Sequence, residues 1–227
     1  MPSWFDDEVA ALAHRTCARR GEDKLILFYG SSTFTLWSDL EAHFPAHNVL
    51  NHGFGGATLS DCLEYFDLLV TPVQPAAIVL YAGDNDLDNG TSPEGVIDLL
   101  EGFLARKRVC LGAVPLGYVS IKVSRQRLHF MHTIGYTNTL AERLLADAED
   151  AAFVDFTRRL TGRGYHPWQD YFTHDPLHMN PAGYRVLGKT IAEYIGRLES
   201  GSGPLSVRAS AEPPKWADAG AFGNGAS

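Results

Sequence analysis

The chain has 227 residues, of which 45% are hydrophobic and 20% are charged, and its net charge is −8. This is the composition of a globular protein, and the acidic total argues against nucleic acid or an anionic membrane as the main partner. Its three cysteines include no CxxC pair, which excludes a disulfide framework and a thiolate zinc site.

The first twenty residues predict no signal peptide. Asp6, Asp7 and Glu8 stand where such a peptide would be basic and then apolar. No run approaches the ~20 apolar residues of a membrane helix. We therefore expect a cytoplasmic protein without a membrane partner.

Short apolar runs alternate with segments of helical period. The runs predicted as strands covered on both faces are 24–30, 47–51, 76–83, 107–114 and 151–156. Helices are predicted over about 33–43, 59–69 and 124–149, and from Pro93 and Pro181 onward. The expected N-caps are Thr58 or Ser60, Ser92 and Asn180. This alternation predicts an α/β protein whose parallel sheet lies between helices.

The last residues differ in composition from the rest of the chain. From Gly201 onward the sequence is rich in Gly, Pro and Ser and has no apolar periodicity. We expect one domain over residues 1–200, and a disordered tail or cloning remnant over 201–227.

Four stretches combine glycine with polar residues that could do chemistry. Three follow predicted strands and the fourth precedes the last helix; they are YGSST (29–33), NHGFGGAT (51–58), AGDNDLDNG (82–90) and HDPLHMNPAGY (174–184). Each alone is typical of a turn. A parallel sheet, however, gathers its ligands outside the carboxyl ends of its strands, so we expect the four to meet.

The fourth stretch offers an imidazole beside a carboxylate. Asp175 and His178 are three residues apart, so within one turn they lie on the same side, and the carboxylate would orient the ring. His174 is a rival base, but we expect it to face solvent. Ser31 or Ser32 could be the group activated, while the other caps a helix.

The second and third stretches offer hydrogen-bond donors for an oxyanion. The Gly-rich loop supplies backbone N–H groups, and Asn85 supplies a side-chain amide. His52 and Phe54 flank this loop and would contact substrate or, for the histidine, simply be exposed. An alternative reading makes Asp84, Asp86, Asp175 and His178 the ligands of a metal.

Together these stretches resemble the SGNH (GDSL-like) hydrolase family, whose four blocks contribute Ser, Gly, Asn and His. The resemblance extends from about Lys24 to Tyr194 and implies a flavodoxin-like, three-layer α/β/α sandwich with a five-stranded parallel sheet. It implies Ser32, Asp175 and His178 as catalytic residues. It also implies the Ser32 and Gly56 N–H groups and the Asn85 amide as the oxyanion hole. Ser31 replaces the acidic residue of the first block.

The resemblance implies a serine hydrolase that cleaves carboxylic esters through an acyl-enzyme intermediate. We expect short-chain acyl esters or acetylated sugars as substrates, with no metal and no other cofactor. Two alternatives remain open, a metal-dependent phosphoesterase and a non-catalytic carbohydrate-binding relative. Ser32→Ala is expected to abolish activity, whereas Ser31→Ala should retain most of it.

Overall fold

The computed structural model describes residues 5–19 and 21–201, without the side chain of Cys17. The strands of its sheet are β1 (Ile26–Gly30), β2 (Val49–Gly53), β3 (Ala77–Tyr81), β4 (Leu116–Val119) and β5 (Ala151–Val154). All neighbours are parallel, in the order β2-β1-β3-β4-β5. β1 and β3 are adjacent although β2 separates them in the sequence. Such a reversal creates a crevice for ligands at the carboxyl ends of the strands.

Helices cover both faces of the sheet. They are α1 (Asp6–Ala18), α2 (Ser32–Thr35), α3 (Leu40–His43), α4 (Leu59–Glu64), α5 (Phe66–Leu69), α6 (Asp84–Asp88), α7 (Pro93–Leu111), α8 (Met131–Leu145), α9 (Thr157–Leu160) and α10 (Pro181–Ser200). Short 3₁₀ helices occur at Thr71–Val73, Leu128–Phe130, Arg163–Tyr165 and Gln169–Tyr171.

Two hydrophobic cores lie on opposite faces of the sheet, because successive strand residues point to opposite sides. Leu27 and Tyr29 of β1 belong to the core that α1, α4, α5, α7 and α8 cover. Ile26 and Phe28 belong to the core that α2, α3, α9 and α10 cover. The predicted α/β sandwich of three layers with a five-stranded parallel sheet is therefore confirmed.

The predicted strand over 107–114 is wrong. α7 ends at Leu111 and is followed by its C-cap, Gly112, whose φ is 70°; the fourth strand begins only at Leu116. Val109 contributes to the apolar run but is 82% exposed on the helix surface. Lys107 is charged but buried, and its Nζ donates to the Val114 carbonyl oxygen at 2.6 Å. In this run the apolar residues are not the buried ones, so hydrophobicity wrongly indicates a buried strand.

Other helices are shorter than predicted. The segment predicted as a helix over 124–149 is α-helical only from Met131 to Leu145, and the segments over 33–43 and 59–69 each contain two short helices. The predicted N-caps are confirmed. Thr58, rather than Ser60, forms a capping box with Asp61, and Ser92 accepts the Gly95 N–H at 3.1 Å.

Within residues 5–19 and 21–201, no helix combines the length and the apolar character needed to cross a membrane. The tail predicted over 201–227 lies, apart from Gly201, outside the described residues.

Candidate active site

Ser32 lies at the carboxyl end of β1, as the first residue of α2. The turn before it depends on Gly30, whose φ is +139°; a Cβ there would lie 1.9 Å from the Tyr81 carbonyl oxygen, so only glycine fits. The Ser31 N–H donates to that same oxygen at 2.9 Å. Ser32 is partly exposed, and its N–H belongs to the first turn of a helix, where backbone donors have no intrahelical acceptor.

A loop before α10 brings an imidazole to Ser32. His178 Nε2 lies 3.3 Å from Ser32 Oγ, and His178 Nδ1 is hydrogen-bonded to Asp175 Oδ2. The other Asp175 oxygen accepts the Leu177 N–H at 2.8 Å. That N–H, and then the His178 side chain, hold the pKa of Asp175 below its usual value. An ionised carboxylate, an imidazole and a hydroxyl thus lie in one line of contacts.

Backbone contacts fix this loop, which we call the Asp–His turn (residues 172–179). An antiparallel bridge joins its end residues, Phe172 and Met179. Asn180, the predicted N-cap of α10, follows directly, and its Nδ2 donates to the Phe172 carbonyl oxygen at 3.1 Å. His178 is therefore held two residues from a capped helix rather than on a free loop.

Asn85 and Gly56 lie at the ends of the neighbouring strands. Asn85 Nδ2 donates to Ser31 Oγ at 2.9 Å and to the Ala57 carbonyl oxygen at 3.0 Å, which joins the segments after β1, β2 and β3. Gly56 adopts a φ of 73°, and its N–H donates to no acceptor in the described part of the chain. We call Ser31, Ser32, Gly56 and Asn85 the strand-end side of the site.

The other histidine and aromatic candidates have different surroundings. His52 was expected to be exposed or to contact substrate, and this is wrong. It is fully buried in β2, with Nδ1 at 3.0 Å from the Leu69 carbonyl oxygen. Phe54 is also buried, in edge contact with the Phe5 ring. His174 is exposed, as expected.

The carboxylates of the alternative metal site are engaged elsewhere. Asp84 is buried and paired with Lys122 at 3.0 Å and Arg127 at 3.1 Å. Burial alone would raise the pKa of Asp84, but these two cations outweigh it and lower the pKa. Asp86 accepts the Leu59 N–H at 3.0 Å, and burial raises its pKa to about 6. Among the described residues, no three His, Cys, Asp or Glu side chains are arranged to hold a metal ion.

Sequence patterns gave no role to Lys122 and Arg127, yet both are buried beneath the site. Lys122 Nζ donates to Thr33 Oγ1 at 3.1 Å, next to Ser32. Arg127 Nη2 donates to Asn85 Oδ1 at 2.9 Å. Both residues follow β4, which ends at Val119, but their burial depends on partners that are distant in the sequence, so no local pattern marks them.

Comparison with known proteins agrees with this arrangement of blocks. The family model described as the GDSL-like lipase/acylhydrolase family matches residues 22–186, which is most of the chain. The chain belongs to this family. The match takes in Ser32, Gly56, Asn85, Asp175 and His178.

Several solved structures share the fold. A GDSL-like lipase from Bacteroides thetaiotaomicron is 17% identical, with a TM-score of 0.72 over 84% of this chain and 98% of that one. A lipase/acylhydrolase from Enterococcus faecalis is 18% identical, with a TM-score of 0.61 over 82% and 100%. An acetylxylan esterase from Geobacillus stearothermophilus is 14% identical, with a TM-score of 0.62 over 78% and 96%. No curated protein sequence matches the chain.

Proposed function

We propose that this GDSL-like acylhydrolase cleaves carboxylic esters through an acyl-enzyme intermediate on Ser32. The observation that carries the proposal is the 3.3 Å distance between His178 Nε2 and Ser32 Oγ, with Asp175 on the other ring nitrogen. A carboxylate on Nδ1 favours the tautomer that carries its proton there, which leaves the Nε2 lone pair free to accept the serine proton.

In the first half-reaction, Ser32 Oγ attacks the ester carbonyl carbon while His178 takes the hydroxyl proton. The tetrahedral intermediate then collapses; the bond to the alcohol oxygen breaks, and His178 gives its proton to the departing alcohol. In the second half-reaction, His178 deprotonates a water that attacks the acyl group. Collapse of that intermediate releases the carboxylic acid and returns the proton to Ser32. No redox step and no cofactor enters this scheme.

The charge on the tetrahedral intermediate needs donors, and we assign these to the strand-end side. The Ser32 and Gly56 N–H groups and Asn85 Nδ2 are the proposed oxyanion hole. Removal of one such donor typically costs about 3–4 kcal/mol of transition-state stabilisation. Two observations support the assignment. The Gly56 N–H has no acceptor within the described residues, and Asn85 Nδ2 donates to Ser31 Oγ, a neutral acceptor beside the nucleophile that a charged oxyanion would displace.

For the substrate we propose small esters, either of short-chain acids or of acetylated sugars. One neighbour in fold is an acetylxylan esterase, which supports acetyl esters as a class to test. The net charge of −8 favours neutral substrates over polyanions such as nucleic acids.

The test compares two adjacent serines. With p-nitrophenyl acetate, Ser32→Ala should lower kcat by about 10³-fold or more, whereas Ser31→Ala should lose less than about tenfold. The neighbouring hydroxyl makes no contact with His178, and Ala57 still holds Asn85 when it is removed. A fluorophosphonate should label Ser32, as read by mass spectrometry of the modified peptide. Full activity in the Ser32→Ala protein would refute the proposal.

The same preparation separates the two alternatives. A phosphoesterase would hydrolyse bis-p-nitrophenyl phosphate and lose activity with a chelator, whereas the proposed enzyme should be indifferent to the chelator. A carbohydrate-binding relative would hydrolyse none of the esters. A panel from acetate to decanoate, run beside acetylated xylose, would then define the acyl chain and alcohol that the site accepts.

A further inference from the structure

A segment that no motif pointed to connects the elements of the site. Residues 120–127 follow β4 at the carboxyl edge of the sheet. Two cations of this segment, Lys122 and Arg127, are buried beneath the site. Lys122 Nζ is shared between Thr33 Oγ1 at 3.1 Å and Asp84 Oδ2 at 3.0 Å. It therefore links the residue after Ser32 to the residue before Asn85.

Arg127 contacts the side chain of Asn85 directly. Its Nη2 donates to Asn85 Oδ1 at 2.9 Å and to Asp88 Oδ2 at 3.0 Å, and its Nη1 lies 3.1 Å from Asp84 Oδ2. The Arg127 side chain is only 7% exposed. The two carboxylates balance the charges of Lys122 and Arg127, which is how a buried guanidinium is tolerated.

This contact decides which way the Asn85 amide faces. A guanidinium has only donors, so the amide oxygen must lie toward Arg127, and a flipped amide would set N–H groups against N–H groups. Nδ2 then faces the opposite side, where it meets Ser31 Oγ and the Ala57 carbonyl oxygen. A charged donor on the amide oxygen also polarises the amide, which makes its N–H groups stronger donors.

We infer that Arg127 is a positioning residue for the oxyanion donor, acting through Asn85 rather than on the substrate. The inference rests on the proposed ester hydrolysis. The competing role is structural: Arg127 would merely neutralise Asp84 and Asp88, and its loss would lower the amount of folded protein without a specific effect on the reaction.

The experiment measures kcat and KM for p-nitrophenyl acetate in Arg127→Met and Arg127→Lys, with Arg125→Met as the matched control. Arg125 is an exposed arginine of the same segment and should have no effect. Arg127→Met should lower kcat by about 10²-fold and change KM less than about threefold, because the donor matters most in the transition state. Arg127→Lys keeps a charge and a donor, so it should recover part of kcat. Circular dichroism gives the folded fraction of each variant.

A double-mutant cycle with Asn85→Ala decides between the two roles. If Arg127 acts through Asn85, Arg127→Met should cost less than about threefold in the Asn85→Ala background. Affinity for a short trifluoromethyl ketone, which forms an oxyanion adduct with serine, should fall in parallel with kcat in the single variants. Equal losses in both backgrounds, or a loss explained by the folded fraction, would overturn the inference while Ser32→Ala remained inactive. An active Ser32→Ala would instead remove the proposed function and this inference with it.

Discussion

The two sides of the site are held by different forces. On the strand-end side, Asn85 is fixed by hydrogen bonds to Arg127 and Ser31, above the buried pair of Asp84 and Lys122. The Asp–His turn lies at the surface, where the Asp175 side chain is 50% exposed. Its shape comes from backbone contacts and from the cap of α10. One side thus depends on buried charges, and the other depends on local chain geometry.

This difference separates activity from stability. A buried ion pair that loses one partner leaves an uncompensated charge, so changes to the buried ions beneath the strand-end side should lower the stability of the protein as well as slow the reaction. An exposed pair contributes little to stability because water screens it. Changes in the Asp–His turn should therefore slow the reaction and leave the fold intact.

The largest loss of activity without a loss of stability is expected in the Asp–His turn. Asp175→Asn keeps the shape of the side chain but removes the negative charge that orients and stabilises the protonated His178. We expect kcat to fall by about 10³-fold, while the free energy of unfolding changes by less than about 1 kcal/mol. Steady-state kinetics and urea unfolding measure the two quantities.

Asp170→Asn is the control for that substitution, since Asp170 is an exposed acid just before the turn. It should leave both quantities unchanged. A large loss of stability in Asp175→Asn would break the contrast, because the turn would then belong to the stabilising core of the protein.

The next effect concerns the buried ions beneath the strand-end side. Lys122→Met removes the cation that Asp84, Thr33 and Tyr81 share, with Tyr81 OH at 3.1 Å from Nζ. We expect the free energy of unfolding to fall by about 3 kcal/mol, since the buried Asp84 carboxylate loses one of its two cationic partners. Lys189→Met, at an exposed lysine of α10, should cost less than about 0.5 kcal/mol. Equal stability of the two variants in urea would mean that the buried contacts of Lys122 do not stabilise the protein.

The Asp–His turn could be predicted from sequence because its signals are local. Asp175 and His178 are three residues apart, and Asn180 before Pro181 marks a helix start with a known side-chain cap. Ser32 and Asn85 were also accessible, because each follows a short apolar run that forms a strand. Strand ends and helix caps can be predicted because they depend on residues that are close together in the sequence.

Lys122 and Arg127 were out of reach because their partners are distant in sequence. The pattern of residues 107–114 favours a strand, and the helix predicted over 124–149 includes Arg127, whereas the fourth strand is Leu116–Val119. Nothing local shows that Lys122 is buried against Thr33, 89 residues away. Charge burial of this kind follows from tertiary packing, which overrides hydrophobic periodicity.

A smaller effect, on how stability depends on pH, is expected in β2, the strand that leads to Gly56 of the strand-end side. His52 lies in β2, just before the Gly56 loop, and burial lowers its pKa to about 4. The unfolded chain takes up this proton near pH 6.5, so the stabilising contribution is full above that value and is lost as the pH falls toward 4. From about pH 7 to about pH 5 the loss for this group is about 2 kcal/mol.

His52→Asn keeps an N–H for the Leu69 carbonyl oxygen but does not titrate. Its stability in urea should therefore fall by about 2 kcal/mol less than that of the wild type over this pH interval. Asp86→Asn should change the pH dependence of stability in the opposite direction to His52→Asn. The pKa of Asp86 is raised to about 6, so the folded protein takes up that proton first and gains stability as the pH falls. Identical pH profiles for wild type and His52→Asn would contradict the assignment.

The smallest change in activity is expected at a second histidine of the Asp–His turn. His174 precedes Asp175 and is the other imidazole in the Asp–His turn, but it is exposed, whereas His178 Nε2 faces Ser32 Oγ. His174→Ala should change kcat/KM less than about twofold and stability by less than about 0.5 kcal/mol, as expected of a surface substitution. The matched change, His178→Ala, should remove nearly all activity at similar stability. If the two variants lost activity equally, proton transfer could not be assigned to His178 alone, and the surface turn would have to be regarded as a two-histidine unit.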